Sequence, residues 1–173
     1  MQRVGMNQHQ LNRGGLTMGD AHLEAAGTTE KSEIRSVVVR GSGAGFAQEV
    51  AAGPHRMTAD EPVSVGGTET GPTPYDFLLA ALGACTSITV GMYARRKGWL
   101  LEKVSVNLRH SKIHASDCAD CETKEGMLDR IELDLHLSGS LTNEQRSKLL
   151  EIANKCPVHR TLTSEIVIST RVA

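Results

Sequence analysis

Residues 73–98 read TPYDFLLAALGACTSITVGMYARRKG. Thr73 suits a helix N-cap, Pro74 the first helical position and Asp76 the third, a capping-box arrangement. Arg95, Arg96 and Lys97 precede Gly98, so cations sit at the negative end of the helix dipole and a glycine follows the last turn. The stretch predicts one long helix. From Phe77 to Ala94 it holds no charged residue and is apolar or small on every face. Such a helix has to be covered all round, and Gly83 and Gly91 allow close backbone approach. One small domain has little material for that cover. A second copy of the chain would supply it, so the helix predicts a homodimer.

Working outward towards the N-terminus, DEPVSVGGTETGPTP (60–74) is a long loop. Before it come three short β-like runs: IRSVVVR (34–40), FAQEVAA (46–52) and HRMTA (55–59). The turns GSGAG (41–45) and GP (53–54) separate them, which reads as an antiparallel meander. GSGAG lacks the Lys-Ser/Thr of a phosphate-binding loop and is read as a hairpin turn. Residues 1–32 are polar and aperiodic and predict a flexible tail, with one domain over 33–173.

Towards the C-terminus, KVSVNLRHSKI (103–113) and MLDRIELDLHL (127–137) alternate as paired strands around the polar loop HASDCADCETKEG (114–126). LTNEQRSKLLEIANKC (141–156) is an amphipathic helix opened by a Thr142/Gln145 capping box. A short helix, PVHRTL (157–162), and a last strand, EIVISTRV (165–172), complete the chain. The order of three strands, helix, two strands, helix and strand is that of an α+β fold.

The chain has 173 residues, Lys+Arg 19 against Asp+Glu 20, and only 3% aromatic residues. Near-neutral charge and scarce aromatics argue against nucleic acid as a partner. No run of about 18 apolar residues is evident, so no membrane span is expected. The N-terminus lacks an apolar signal region, which predicts a cytoplasmic protein. In a reducing compartment structural disulfides are not expected, and the four cysteines point to redox chemistry, metal or plain burial.

Two cysteines occupy unusual places. Cys85 lies mid-helix, where a cysteine by itself packs as a small hydrophobe. Cys156 precedes Pro157, and proline favours the first position of a helix, so Cys156 falls at or beside an N-cap. Oriented N–H groups there, with Lys155, His159 and Arg160 nearby in sequence, favour a thiolate. A cap residue without chemistry is the competing reading. Pairing of His159 with Cys156 for acyl transfer lacks an accompanying oxyanion-hole motif.

Taken together, TPYDFLLAALGACTS and ANKCPVHRTL, in this order and separated by two strands, resemble the OsmC/Ohr family of thiol-dependent peroxidases. The resemblance spans roughly residues 34–172 and is closest to the OsmC-like subgroup. It implies an intertwined homodimer in which antiparallel sheets wrap two central helices. It also implies a role for each thiol: Cys85 as the peroxidatic cysteine and Cys156 as the resolving one. The substrate would then be a hydrogen or organic peroxide. The regenerating partner would be an external dithiol reductant, and no cofactor is implied. The family's peroxidases carry a Glu before the helix cysteine, paired with an Arg from the N-terminal strands. Here Tyr75 stands in the Glu position. Asp76 is about 13 Å along the axis from Cys85 on the opposite face of a straight helix, and is read as a capping residue. Arg40 and Arg56 are the candidate arginines, with solvated surface charge the preferred reading of each. A second reading therefore stays open, that of a binding or structural protein on the same scaffold.

His110, His114, Cys118 and Cys121 form an H-x3-H-x3-C-x2-C pattern, a ligand set suited to structural zinc. A reduced surface loop and a reversible CxxC disulfide are the other readings. The acidic surroundings in DCADCE oppose thiolate formation and with it the redox reading.

Overall fold

The computed structural model describes residues 36–172. The predicted tail, 1–32, and the start of the first predicted strand, 34–35, lie outside the described residues. The order is β1 (Val37–Gly41), β2 (Gln48–Ala52), β3 (His55–Ala59), α1 (Pro74–Lys97), β4 (Leu100–His114), β5 (Met127–Ser140), α2 (Asn143–Ala153) and α3 (Pro157–Leu162). Single 3-10 turns at Val63–Val65 and Ala115–Asp117 punctuate the two long loops. The chain is α+β, with two separate antiparallel sheets, β1-β2-β3 and β4-β5.

α1 forms where its ends predict it. The Thr73 hydroxyl accepts from the Asp76 N–H, and Asp76 accepts from the Thr73 N–H at 2.9 Å. At the other end Gly98 turns left-handed at φ 65° and closes the last turn onto Ala94 and Arg95. The helix buries Leu82, Gly83, Thr86, Val90 and Ala94. Val90 and Ala94 meet Leu149 and Ala153 of α2 in the core, with Val104, Leu135 and Leu137 of the β4-β5 hairpin packed against them. The opposite face carries Ala81, Ala84, Ile88 and Met92, and Ile88 is 60% exposed. By length and composition α1 is apolar enough to cross a membrane, which corrects the expectation that no such stretch exists. Its one-sided packing on a hairpin and two helices is that of a domain's core helix.

The β4-β5 ladder follows the sequence alternation. Val104/Leu137, Val106/Leu135 and Leu108/Leu133 are opposed pairs facing α1, and His110/Ile131 continues the row. Arg109 pairs with Glu132 and Asp134 on the solvent face. Both strands outrun their predicted bounds, β4 beginning at Leu100 and β5 ending at Ser140. The register shifts between Leu101 and Lys103. Gly139, at φ 126°, lies so close to the Leu100 carbonyl that a side chain would clash. The extra residue is Glu102 of β4, a bulge opposite Gly139 and Ser138, and it lets the pairing continue to Leu100 and Ser140.

Two further differences concern the C-terminal region. α2 ends at Ala153 because the N–H groups of Lys155 and Cys156 bond the carbonyls of Ile152 and Ala153 in a tighter turn. The predicted last strand, 165–172, is not formed. The segment has no ladder partner among the described residues, and Val167 and Ile168 are 85% and 83% exposed. Alternating β-branched residues set which side chains share a face, but a strand exists only where a neighbour takes its hydrogen bonds.

Asp60 organises the loop into α1. One carboxylate oxygen accepts from the Glu61 N–H at 2.8 Å. The other accepts the N–H and hydroxyl of Thr68 and of Thr70, between 2.6 and 3.1 Å. These donors, Thr68 first, hold the carboxyl well below the usual carboxylate range despite its burial. The stabilisation is complete above the unfolded carboxyl's value near 4 and is lost as pH falls from there towards the lower folded value. Asp60→Asn should lower the melting temperature by several degrees at pH 7. It should also flatten the loss of stability below about pH 4, as read by thermal melts across pH. Equal acid sensitivity in variant and wild type would show that Asp60 carries none of it.

Candidate active site

The site lies where α3 starts beside the middle of α1. Cys156 is the N-cap of α3, with Pro157 at the first helical position. Its residue is wholly buried. Its sulfur accepts two hydrogen bonds, from the His159 backbone N–H at 3.3 Å and from the Thr86 hydroxyl at 3.4 Å. Thr86 is itself buried and directly follows Cys85 in α1. Consecutive Cα atoms are 3.8 Å apart, so the Cys156 sulfur meets α1 within one residue of Cys85. Cys85 is half-buried, at the border between the packed and free faces of the helix. Both are free thiols.

The local sequence explains the arrangement. Proline needs no N–H partner and starts α3 at residue 157, which leaves the cap to Cys156. Threonine at position 86 offers a hydroxyl that a valine would lack. Sequence reasoning missed Thr86. Thr86, Ser87 and Thr89 all bring hydroxyls close to Cys85 in this helix, and nothing local says which of them will be buried. His159 contributes its backbone rather than its ring to the Cys156 sulfur. His159 also lines a separate cleft of about 300 Å³ with Leu82, Ile131 and Asp129.

Among the described residues neither thiol is hydrogen-bonded to Tyr75, Asp76, Arg40 or Arg56. Tyr75, exposed at the start of α1, stacks on His110 with ring centroids 4.3 Å apart. Asp76 serves the cap of α1. Arg40 lies on the exposed strand β1, opposite Glu49. Arg56 donates to the Gly53 carbonyl at 2.8 Å and lies 3.7 Å from Glu49.

The H-x3-H-x3-C-x2-C pattern does not close into a ligand set. Cys118 and Cys121 form a disulfide, with Cα atoms 5.4 Å apart, the CxxC pairing that the acidic surroundings argue against, in place of a zinc site or a reduced loop. His110 Nε2 lies 2.9 Å from Asp129 Oδ1, and Lys112 Nζ lies the same distance from that oxygen. Lys112, and after it His110, hold the Asp129 carboxyl below its ordinary range. Among the described residues no group of three or more His, Cys, Asp or Glu side chains could hold a metal. The physical reason is the pleat. His110 faces inward onto Tyr75 in a regular ladder, while the cysteines lie beyond His114 in the connecting loop.

A two-helix crossing that presents one accessible and one sealed thiol, on an α+β frame with two antiparallel sheets, defines a candidate dithiol protein. The family described as OsmC-like protein matches residues 67–171, and the chain belongs to that family. Solved structures agree on the fold. The OsmC-like protein of Mycoplasma pneumoniae is 20% identical, with a TM-score of 0.59 over 76% of this chain and 88% of that one. The organic hydroperoxide resistance protein OsmC of Legionella pneumophila is 21% identical, with a TM-score of 0.56 over 75% and 89%. The organic hydroperoxide resistance protein OhrB of Bacillus subtilis is 18% identical, with a TM-score of 0.54 over 75% and 90%. A search of curated proteins matched none.

Proposed function

We propose that the chain is a thiol-dependent peroxidase that reduces hydrogen or organic peroxides through Cys85 and Cys156. One observation carries the reading: the Cys156 sulfur is hydrogen-bonded to the residue next to Cys85, and the two thiols differ in access. The half-buried Cys85 is the one a peroxide can reach. Its thiolate attacks the O–O bond, the alcohol or water departs with a proton, and Cys85 becomes a sulfenic acid. The sealed Cys156 then displaces the sulfenic oxygen as water, forming a disulfide. An external dithiol returns both sulfurs to thiols and leaves as its own disulfide. Hydroperoxide resistance proteins among the structural neighbours support the assignment of substrate class. A reducing cytoplasm suits the regenerating step.

The working form is a homodimer. α1 leaves Ala81, Ala84 and Ile88 uncovered, β1 exposes Val37, Val38 and Val39, and the β-branched segment 165–172 has no ladder. Three apolar surfaces of this kind on one small chain favour a second copy as their common cover.

A binding or structural role on the same scaffold is favoured by one feature, Tyr75 stacked on His110 where the family's peroxidases carry a Glu. Mass spectrometry separates the two readings. Reduced protein treated with an equivalent of cumene hydroperoxide and alkylated should yield a Cys85–Cys156 cross-linked peptide. Persistence of both as alkylated thiols after excess peroxide would leave the scaffold role.

A further inference from the structure

A groove of about 600 Å³ runs between the C-terminal half of α1 and the junction of α2 with α3. That is within the size range of small-molecule sites. Its apolar walls are Met92, Tyr93, Ile152 and Pro157. Arg95, Arg96 and Lys155 also line it, and no acidic side chain does. None of the three cations forms a salt bridge among the described residues. Glu151, near the end of α2, is held by Lys148 at 2.7 Å, and Lys155, just beyond the helix, is only a lesser influence on its carboxyl. The Arg96 guanidinium lies 5.6 Å from the Tyr93 ring centre, so the aromatic wall and the charge are contiguous. Thr89, one turn beyond Cys85, lines the same groove, but neither thiol does.

Three cations without a salt bridge among the described residues, beside an aliphatic and aromatic wall, are complementary to one kind of small molecule. We propose that this groove binds an amphipathic organic anion, an aliphatic chain ending in a single carboxylate. The carboxylate engages Arg95, Arg96 and Lys155, where the planar guanidinium fork matches its two oxygens. The chain lies along Tyr93, Ile152 and Pro157, because Met92 falls on the free α1 face assigned to the second copy. Binding needs no peroxide and no thiol chemistry, so the site stands independently of the peroxidase reading.

Decanoate, kept below its micelle-forming concentration, is the probe. Tyr93 lines the groove and meets Trp99 edge-on at 5.6 Å between ring centres, and Trp99 is the single tryptophan of the chain. Its fluorescence therefore reports on the site, and titration calorimetry gives an independent isotherm. Decanoate should bind saturably and decanol about tenfold more weakly or worse. Arg95→Gln and Lys155→Gln should each cost about tenfold, as expected for loss of one charge-assisted hydrogen bond. In the wild type, added salt should weaken decanoate and leave decanol unchanged. Arg95→Lys, which keeps the charge, should lose less than Arg95→Gln, and circular dichroism checks that each variant is folded. Equal affinity for decanoate and decanol, affinity insensitive to salt, or no saturable binding would each overturn the proposal. Formation of a Cys85–Cys156 disulfide with peroxide is read in a separate experiment that does not depend on decanoate, so failure of one reading is distinguishable from failure of the other.

Discussion

Cys85→Ser should abolish peroxide consumption, whereas Cys156→Ser should consume about one equivalent and stop. The difference in kind follows from access. A serine hydroxyl at position 85 is not appreciably ionised and cannot displace an alkoxide from an O–O bond. With Cys85 intact and Cys156 removed, the first step proceeds and the sulfenic acid has no thiol to condense with. A dimedone-type probe should then label Cys85, and excess peroxide should carry it on to sulfinic acid. The burial of Cys156, with its sulfur bonded to Thr86 and to the His159 N–H, makes it a poor first target for peroxide. The converse result, a labelled sulfenic acid on Cys156 in the Cys85→Ser protein, would reverse the roles. Unchanged consumption in both variants would remove the enzyme reading altogether.

The chain should sediment as a dimer at micromolar concentration, and Ile88→Asp should raise the dissociation constant by roughly a hundredfold or more. Ile88 is 60% exposed in the middle of a helix without a charged residue from Phe77 to Ala94. An aspartate there would cost little on a surface facing water. Inside an apolar interface it would be an unpaired buried charge, and that asymmetry is what the measurement reads. A wild-type monomer of ordinary thermal stability, indifferent to Ile88→Asp, would show that water is the normal neighbour of this face.

The elements of the fold were largely legible because their signals are local. Thr73, Asp76 and Gly98 specify where α1 starts and stops through hydrogen bonds within a few residues, and Thr142 with Gln145 does the same for α2. The alternation of Val104, Val106 and Leu108 against Leu133, Leu135 and Leu137 defines the inner face of the hairpin, since the pleat has a period of two. Pro157 places Cys156 at a cap for the same reason, the missing N–H of proline. By itself, then, the sequence determined the helices, the hairpin and the position of one thiol at a helix start. Tertiary structure decided what is non-local. It chose which side of an all-round apolar helix is packed, and so put Thr86 against Cys156 and left Ile88 uncovered. It turned His110 inward onto Tyr75 and away from Cys118 and Cys121, which dissolved a ligand pattern that spacing alone permits. It also left residues 165–172 without a ladder, because β-branched composition makes a segment fit for a sheet but cannot supply the neighbouring strand whose hydrogen bonds would make it one.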